Sequence, residues 1–200
     1  MGVSKQQAAE NRRTIIDAAA RLFRERVIDG VGLAELMKAA GFTQGGFYNH
    51  FKSKADLVDS VIAAAAEGGT EQLTKALAQP LQGDEGVLDR QVKYYLSKAH
   101  RDDIDCGCPV AGLAADVARL DSGAQAHFAE GLDRTFDQLA MLVGGAKPDA
   151  GARSRAIALY AEMVGALVMS RSVAGADRAL ADEILGQTRQ HLLSAMPAKA

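Results

Sequence analysis

From Asn11 to Arg26 the apolar residues Ile15, Ala19, Leu22 and Phe23 recur at helical spacing, and Arg12, Arg13, Asp17, Arg21 and Glu25 fall between them. This alternation predicts an amphipathic helix with one stripe on a core and its charges in water. A second helix is predicted over about 33–40, with Leu36 and Met37 inward, and Gly41 stands where helices commonly end on a left-handed residue. Thr43 is placed to cap a third helix over about 44–51. So short a helix is unstable alone, which assigns Phe47 and Phe51 to the packing that holds it. Ser53, with Asp56 three residues on, approximates a capping box for a long apolar helix from Lys54 toward Ala78. Beyond Pro80 and Gln82-Gly83-Asp84, helices are expected near 85–101, 109–121, 123–143, 150–174 and 177–195, separated by Gly, Asp and Pro clusters.

The expected fold is therefore all-α: an N-terminal three-helix domain containing a helix-turn-helix over 1–53, then a helical domain over 54–200. No apolar run approaches the roughly twenty residues needed to span a bilayer, and the charged stretch Ser4 to Arg13 lacks a signal peptide's apolar segment. A cytoplasmic chain with no membrane partner is expected. Only two cysteines occur, Cys106 and Cys108, and one intervening residue is an awkward separation for a mutual disulfide.

Charge alters the picture. The net charge is −2, yet residues 1–55 hold nine Lys and Arg against five Asp and Glu, while the remainder hold fourteen against twenty. A basic head on an acidic body suits a small DNA-reading unit carried by a module that avoids phosphates.

Two short helices joined through Gly41-Phe42-Thr43, behind a basic helix and ahead of Lys52 and Lys54, make a helix-turn-helix. The segments Thr14 to Phe23 and Ala39 to Lys54, with the run Gly-x-x-x-Gly-x-x-Tyr-x-His-Phe-x-Ser-Lys from Gly41, resemble the N-terminal domain of the TetR family of transcriptional regulators. The resemblance spans about residues 10–60. It implies a homodimer on a pseudo-palindromic double-stranded DNA operator, an unknown small-molecule effector bound by the C-terminal domain, no enzymatic activity and no cofactor. Two positions depart from the family. Val27 stands where glycine usually ends helix one, so that helix either continues to Asp29-Gly30 or strains a β-branched residue; Gly32 stands where Thr or Ser often caps helix two.

The residues fit that reading. A recognition helix offers its N-terminal residues to base edges, which nominates Thr43, Gln44 and Gly45, with Gln able to pair with adenine in bidentate fashion. Gly45 and Gly46 cost helix stability and make sense if backbone must approach DNA closely. Asn49 lies on the same segment. Tyr48, His50 and Lys54 are similar to the family's phosphate-contacting positions, since all three donate hydrogen bonds.

The body carries weaker signals. Tyr94, Tyr95, Phe128, Phe136, Met141 and Tyr160 are candidates for an apolar effector pocket with phenol handles, or for core. Leu159, Met163, Ala166 and Leu167, with Leu180, Ile184, Leu185, Leu192 and Leu193, are read as a four-helix dimer interface, with core the alternative. Pro109 suits a first helical position and makes Cys108 the cap, where a helix N-terminus favours thiolate and hence a redox or electrophile sensor. Zinc held by Cys106, Cys108 and His100 or His127 lacks the usual ligand spacing. A thiol-dependent enzyme using Cys108 and a helical protein-binding adaptor stay open as other functions.

Overall fold

Ser4 opens the first helix, its hydroxyl accepting from the Gln7 N–H at 3.1 Å. Helix α1 therefore runs Lys5–Glu25 and starts before the apolar periodicity does, because a polar cap sets its beginning. The computed structural model describes residues 4–78, 86–144 and 149–195; Pro80, Gln82-Gly83-Asp84, Pro148 and Pro197 lie outside them. Among the described residues all regular structure is helical. After α1 come α2 (Leu33–Ala39), α3 (Lys54–Ala78), α4 (Val87–Tyr95), α5 (Lys98–Asp102), α6 (Pro109–Val117), α7 (Ser122–Gly144), α8 (Ala152–Val173) and α9 (Arg178–Ala195), with 3-10 turns over Ile28–Gly30 and Gln44–Asn49. The single helix expected over 85–101 is two, because Leu96 leaves helical geometry and the Ser97 hydroxyl starts α5 by accepting from the His100 N–H.

The chain divides into two compact units. The first takes the residues up to Gly68 together with Ile104–Gly131, so α6 and the start of α7 fold with the N-terminal elements. Its core joins Ile15, Phe23, Leu36, Phe47, Leu57 and Ile62 to Leu113, Val117 and Ala124. Phe128, one of the pocket candidates, packs against this core.

The second unit takes Gly69–Asp103 and the residues from Leu132 onward. Leu159, Met163, Ala166 and Leu167 of α8 and Leu185 and Leu192 of α9 are buried there within one protomer. They are core, a correction to the interface reading: periodicity marks an apolar face but cannot say which apolar face turns inward. The α8 face left outward carries Ile157, Val168 and Met169, and Leu180 is exposed on α9. By length and composition α8 is apolar enough to cross a membrane, with mean hydropathy 1.4, contrary to the expectation that no such run exists. The run escapes a search for unbroken apolar stretches because Ser, Gly and a few charges interrupt it.

The polar centre of the second unit is Arg101, which is 1% exposed. Its guanidinium donates to Asp102 at 2.8 Å and to Asp182 at 2.6 Å, while Arg171 donates to the Arg101 and His100 carbonyls. Hydrogen bonds from Arg101 hold the Asp102 carboxyl below its ordinary range; those from Lys98 and Arg101 do the same for Asp182.

Candidate nucleic-acid interface

The turn ahead of the reader is fixed by backbone geometry. Gly41 has φ +82°, the Phe42 N–H donates to the Met37 carbonyl at 2.8 Å, and the Gly41 N–H donates to the Lys38 carbonyl at 3.0 Å. This pairing is a Schellman ending, which only glycine enters without strain. Thr43 then stands extended as the residue before the Gln44–Asn49 turn, without a hydrogen bond from its side chain to that turn. The reader is thus a 3-10 segment of six residues, shorter than the expected helix over about 44–51. Phe47 (0% exposed) and Phe51 (2%) stack at 5.5 Å and anchor it to the core, as their assignment requires.

With those rings turned inward, Thr43, Gln44, Gly45, Tyr48 and Asn49 are exposed together, and Gly46 and His50 are half-buried. Tyr48 stays 70% exposed with its ring edge on Phe47 at 5.3 Å, so its hydroxyl is presented outward by a fixed ring. His50 lies 6.3 Å from Phe42, between ring centroids. No positive φ occurs at Gly45 or Gly46; a Cβ on Gly45 meets nothing within 4 Å, and one on Gly46 meets only atoms at 3.9 Å. Neither conformation nor internal packing asks for glycine there.

Lys54 is held rather than free. Its Nζ donates to the Ile28 carbonyl at 2.7 Å, and the side chain is half-buried at the first position of α3. Ser53 caps that helix by accepting from the Asp56 N–H at 3.1 Å, while the Asp56 carboxylate reaches past it to the Lys52 N–H at 2.8 Å. Arg12, expected in water, instead lies over the Phe51 ring at 4.7 Å and donates to the Ser60 hydroxyl at 2.7 Å, which ties α1 to the reader and to α3. Sequence reasoning missed this because its partners sit some forty residues away. Helix α1 ends at Glu25 and Val27 is extended with φ −63°, so neither a longer helix nor a strained valine results. Gly32 caps α2 without a side-chain bond.

A shallow cleft beside Lys54 is lined by Ile28, Asp29, Val58, Asp59 and Asp121. Burial, then the neighbouring Asp121 charge, pushes the Asp59 carboxyl above its ordinary range.

The signal candidates separate. Tyr95, Phe136 and Tyr160 gather in the second unit, Tyr160 meeting Tyr95 at 6.1 Å and Phe136 at 6.0 Å. Tyr94 is 60% exposed and stacks on His100, and Met141 is 57% exposed, so these two and Phe128 do not join that cluster. Cys108 does precede Pro109 as the cap residue of α6, but it is 8% exposed, whereas Cys106 lies exposed in the preceding turn. Among the described residues no group of three His, Cys, Asp or Glu is placed to hold a metal ion, so the zinc arrangement has no counterpart there.

Comparison with known proteins places this geometry. The HTH-type transcriptional regulator AcrR of Shigella flexneri is 45% identical over 58 residues, a match covering 29% of this chain and 27% of that protein. The HTH-type transcriptional repressor NemR of Escherichia coli K12 is 26% identical over 121 residues, 59% of each chain. The matches thus span between about a quarter and three fifths of these relatives. In fold, the crystal structure of reduced E. coli NemR superposes with a TM-score of 0.73 at 23% identity, covering 95% of this chain and all of that one. Residues 15–61 match the model for bacterial regulatory proteins of the tetR family, a span from the first buried residue of α1 through the reader into α3. The likeness to the tetR family of bacterial regulatory proteins thus rests on this N-terminal span, which holds the turn at Gly41 and the Gln44–Asn49 segment.

Proposed function

We propose that this protein is a DNA-binding transcriptional repressor that occupies a pseudo-palindromic operator as a homodimer and leaves it when an effector or a thiol modification changes its second unit or the turn ahead of α6. The observation carrying the reading is the reader's outward face: Thr43, Gln44, Gly45, Tyr48 and Asn49 exposed over two fully packed phenylalanines, with a glycine that the fold itself does not need. Gln44 and Thr43 reach base edges; Tyr48, His50 and the two remaining N–H donors of Lys54 take phosphates. One such face reads only a few base pairs, so two copies on half-sites are required.

The signal has two candidate entry points. Tyr95, Phe136 and Tyr160 offer an apolar small molecule ring faces and phenols in the second unit. Cys106, rather than the buried Cys108, is the thiol within reach of an oxidant or electrophile. Its turn is tied to α1 by a hydrogen bond from Arg24 to the Asp105 carbonyl, a route by which modification moves the first helix. A thiol-dependent enzyme is disfavoured by the burial of Cys108, which leaves a substrate little approach. An adaptor gains nothing from Gly45.

The deciding experiment is selection of duplexes from a random pool by purified protein, then titration of the enriched duplex before and after alkylation of Cys106. Enrichment of an inverted repeat, with affinity lost on alkylation and retained in an alkylated Cys106→Ser control, is expected. Folded protein that enriches no sequence ends the repressor reading, and unchanged affinity after alkylation removes the thiol route.

A further inference from the structure

We propose that Asp116 on α6 is a positioning residue for DNA binding, acting through Ile28 to fix where the Lys54 ammonium is held. The inference rests on the DNA-binding reading above. Ile28 is the first residue of a 3-10 turn, so its N–H has no partner inside that turn, and Val27 before it supplies no side-chain cap. The missing acceptor comes from 88 residues downstream: the Ile28 N–H donates to Asp116 Oδ2 at 3.1 Å. The carbonyl of the same residue accepts from Lys54 Nζ at 2.7 Å. Ile28 is 3% exposed, so both bonds are made where water competes poorly and where losing either leaves a polar group stranded.

Each end of this chain of bonds is itself anchored. Asp116 is carried between Leu113 and Val117, both buried in the first unit's core, so its carboxylate cannot drift without moving α6. Lys54 opens α3, whose first turn is fixed by Ser53 and by the bond from Lys52 to Asp56. An ammonium has three donors, and the one spent on Ile28 orders a long flexible side chain before DNA arrives, leaving two for a phosphate. Asp116 Oδ1 pairs with Arg119 at 3.6 Å, just past the end of α6, while Oδ2, through Ile28, sets the corner from which Lys54 is aimed. Helix α6 is therefore wired to a DNA contact by two hydrogen bonds and one residue of backbone.

The test is the salt dependence of affinity for the enriched duplex, which counts phosphate contacts and does not respond to a mere loss of active protein. Lys54→Met is expected to lower the slope of log K against log salt by about 0.9. Asp116→Ala should move the slope in the same direction and weaken binding about fivefold, on the scale of a lost phosphate contact. Asp116→Asn, whose amide oxygen accepts the same N–H, should restore both. The double variant Asp116→Ala with Lys54→Met should bind no more weakly than Lys54→Met alone. If Asp116→Ala does not fold, Asp116→Glu keeps the charge, displaces the oxygens by one methylene, and must shift the slope likewise. Folded Asp116→Ala or Asp116→Glu with the wild-type slope, or additive effects in the double variant, overturns the inference while leaving DNA binding intact. A wild-type chain that binds no duplex overturns both.

Discussion

Gly45 sits in the first turn of the reader with nothing within 4 Å of where a Cβ would stand, whereas Gly41 four residues earlier has φ +82°. Gly41 is thus required by its backbone, whereas nothing inside the fold requires Gly45, and alanine separates them. Gly45→Ala removes backbone entropy from the unfolded chain without strain and should raise stability to denaturant by about 0.5 kcal/mol. The added methyl nevertheless stands between the reader and base edges, so duplex affinity should fall at least tenfold. Gly41→Ala forces an L-residue into left-handed backbone and should cost about 1–2 kcal/mol. Urea titration and duplex affinity measured on both variants check this; a Gly45→Ala protein that binds as tightly as wild type would remove the close-approach argument. At this scale the reader was legible: Gly41, Phe47 and Phe51 have roles that follow from turn chemistry and residue type. The engagement of Lys54 by Ile28 and of Arg12 by Phe51 was not, because those partners are chosen by tertiary packing rather than local spacing.

At the scale of elements, α5 shows what periodicity misses. Its five residues bury His100 (5% exposed) with Nδ1 bonded to the Tyr95 carbonyl at 2.7 Å and the ring against Tyr94 and Tyr95. An apolar pattern running through 85–101 reads as one helix because a capping serine and a satisfied histidine resemble ordinary polar-face residues. Burial pushes His100 below its usual value of 6.5, with the Arg171 charge adding to this and the bond to Tyr95 opposing it. The unfolded chain then takes up the proton first, so His100's share of stability is complete above pH 6.5 and is lost as pH falls toward the lowered folded value. Asp102 and Asp182 are lowered from 3.8, so their contributions decline only below that pH and leave the window clear. Urea midpoints between about pH 7.5 and 5.5 should therefore fall in wild type and stay flatter in His100→Gln, which can still donate to the carbonyl. Equal slopes in the two proteins would place the titration elsewhere.

At the scale of the whole molecule, the face that α8 and α9 turn away from their own core is the surface the proposed homodimer would bury. Helix α8 is apolar on both sides: Leu159, Met163 and Leu167 are spent inside the protomer, while Ile157, Val168 and Met169 remain exposed, joined on α9 by Leu180. A helix with mean hydropathy 1.4 and these outward residues exposed leaves apolar surface that a monomer gains nothing by exposing. Sequence periodicity left Leu159, Met163, Ala166 and Leu167 open as interface or core, because spacing marks an apolar stripe and only packing says what covers it; they are core. A charge introduced on the outward face tests the dimer without touching the core. Val168→Asp should leave the urea-unfolding slope of the folded protomer near wild type but shift sedimentation from dimer to monomer. Binding to an inverted-repeat duplex should weaken at least tenfold, because the second half-site no longer arrives tethered, while binding to a single half-site should be unchanged. Should Val168→Asp still sediment as a dimer, the partner face lies elsewhere; should wild type itself be monomeric, the outward apolar strip needs another occupant and the palindrome expectation fails with it.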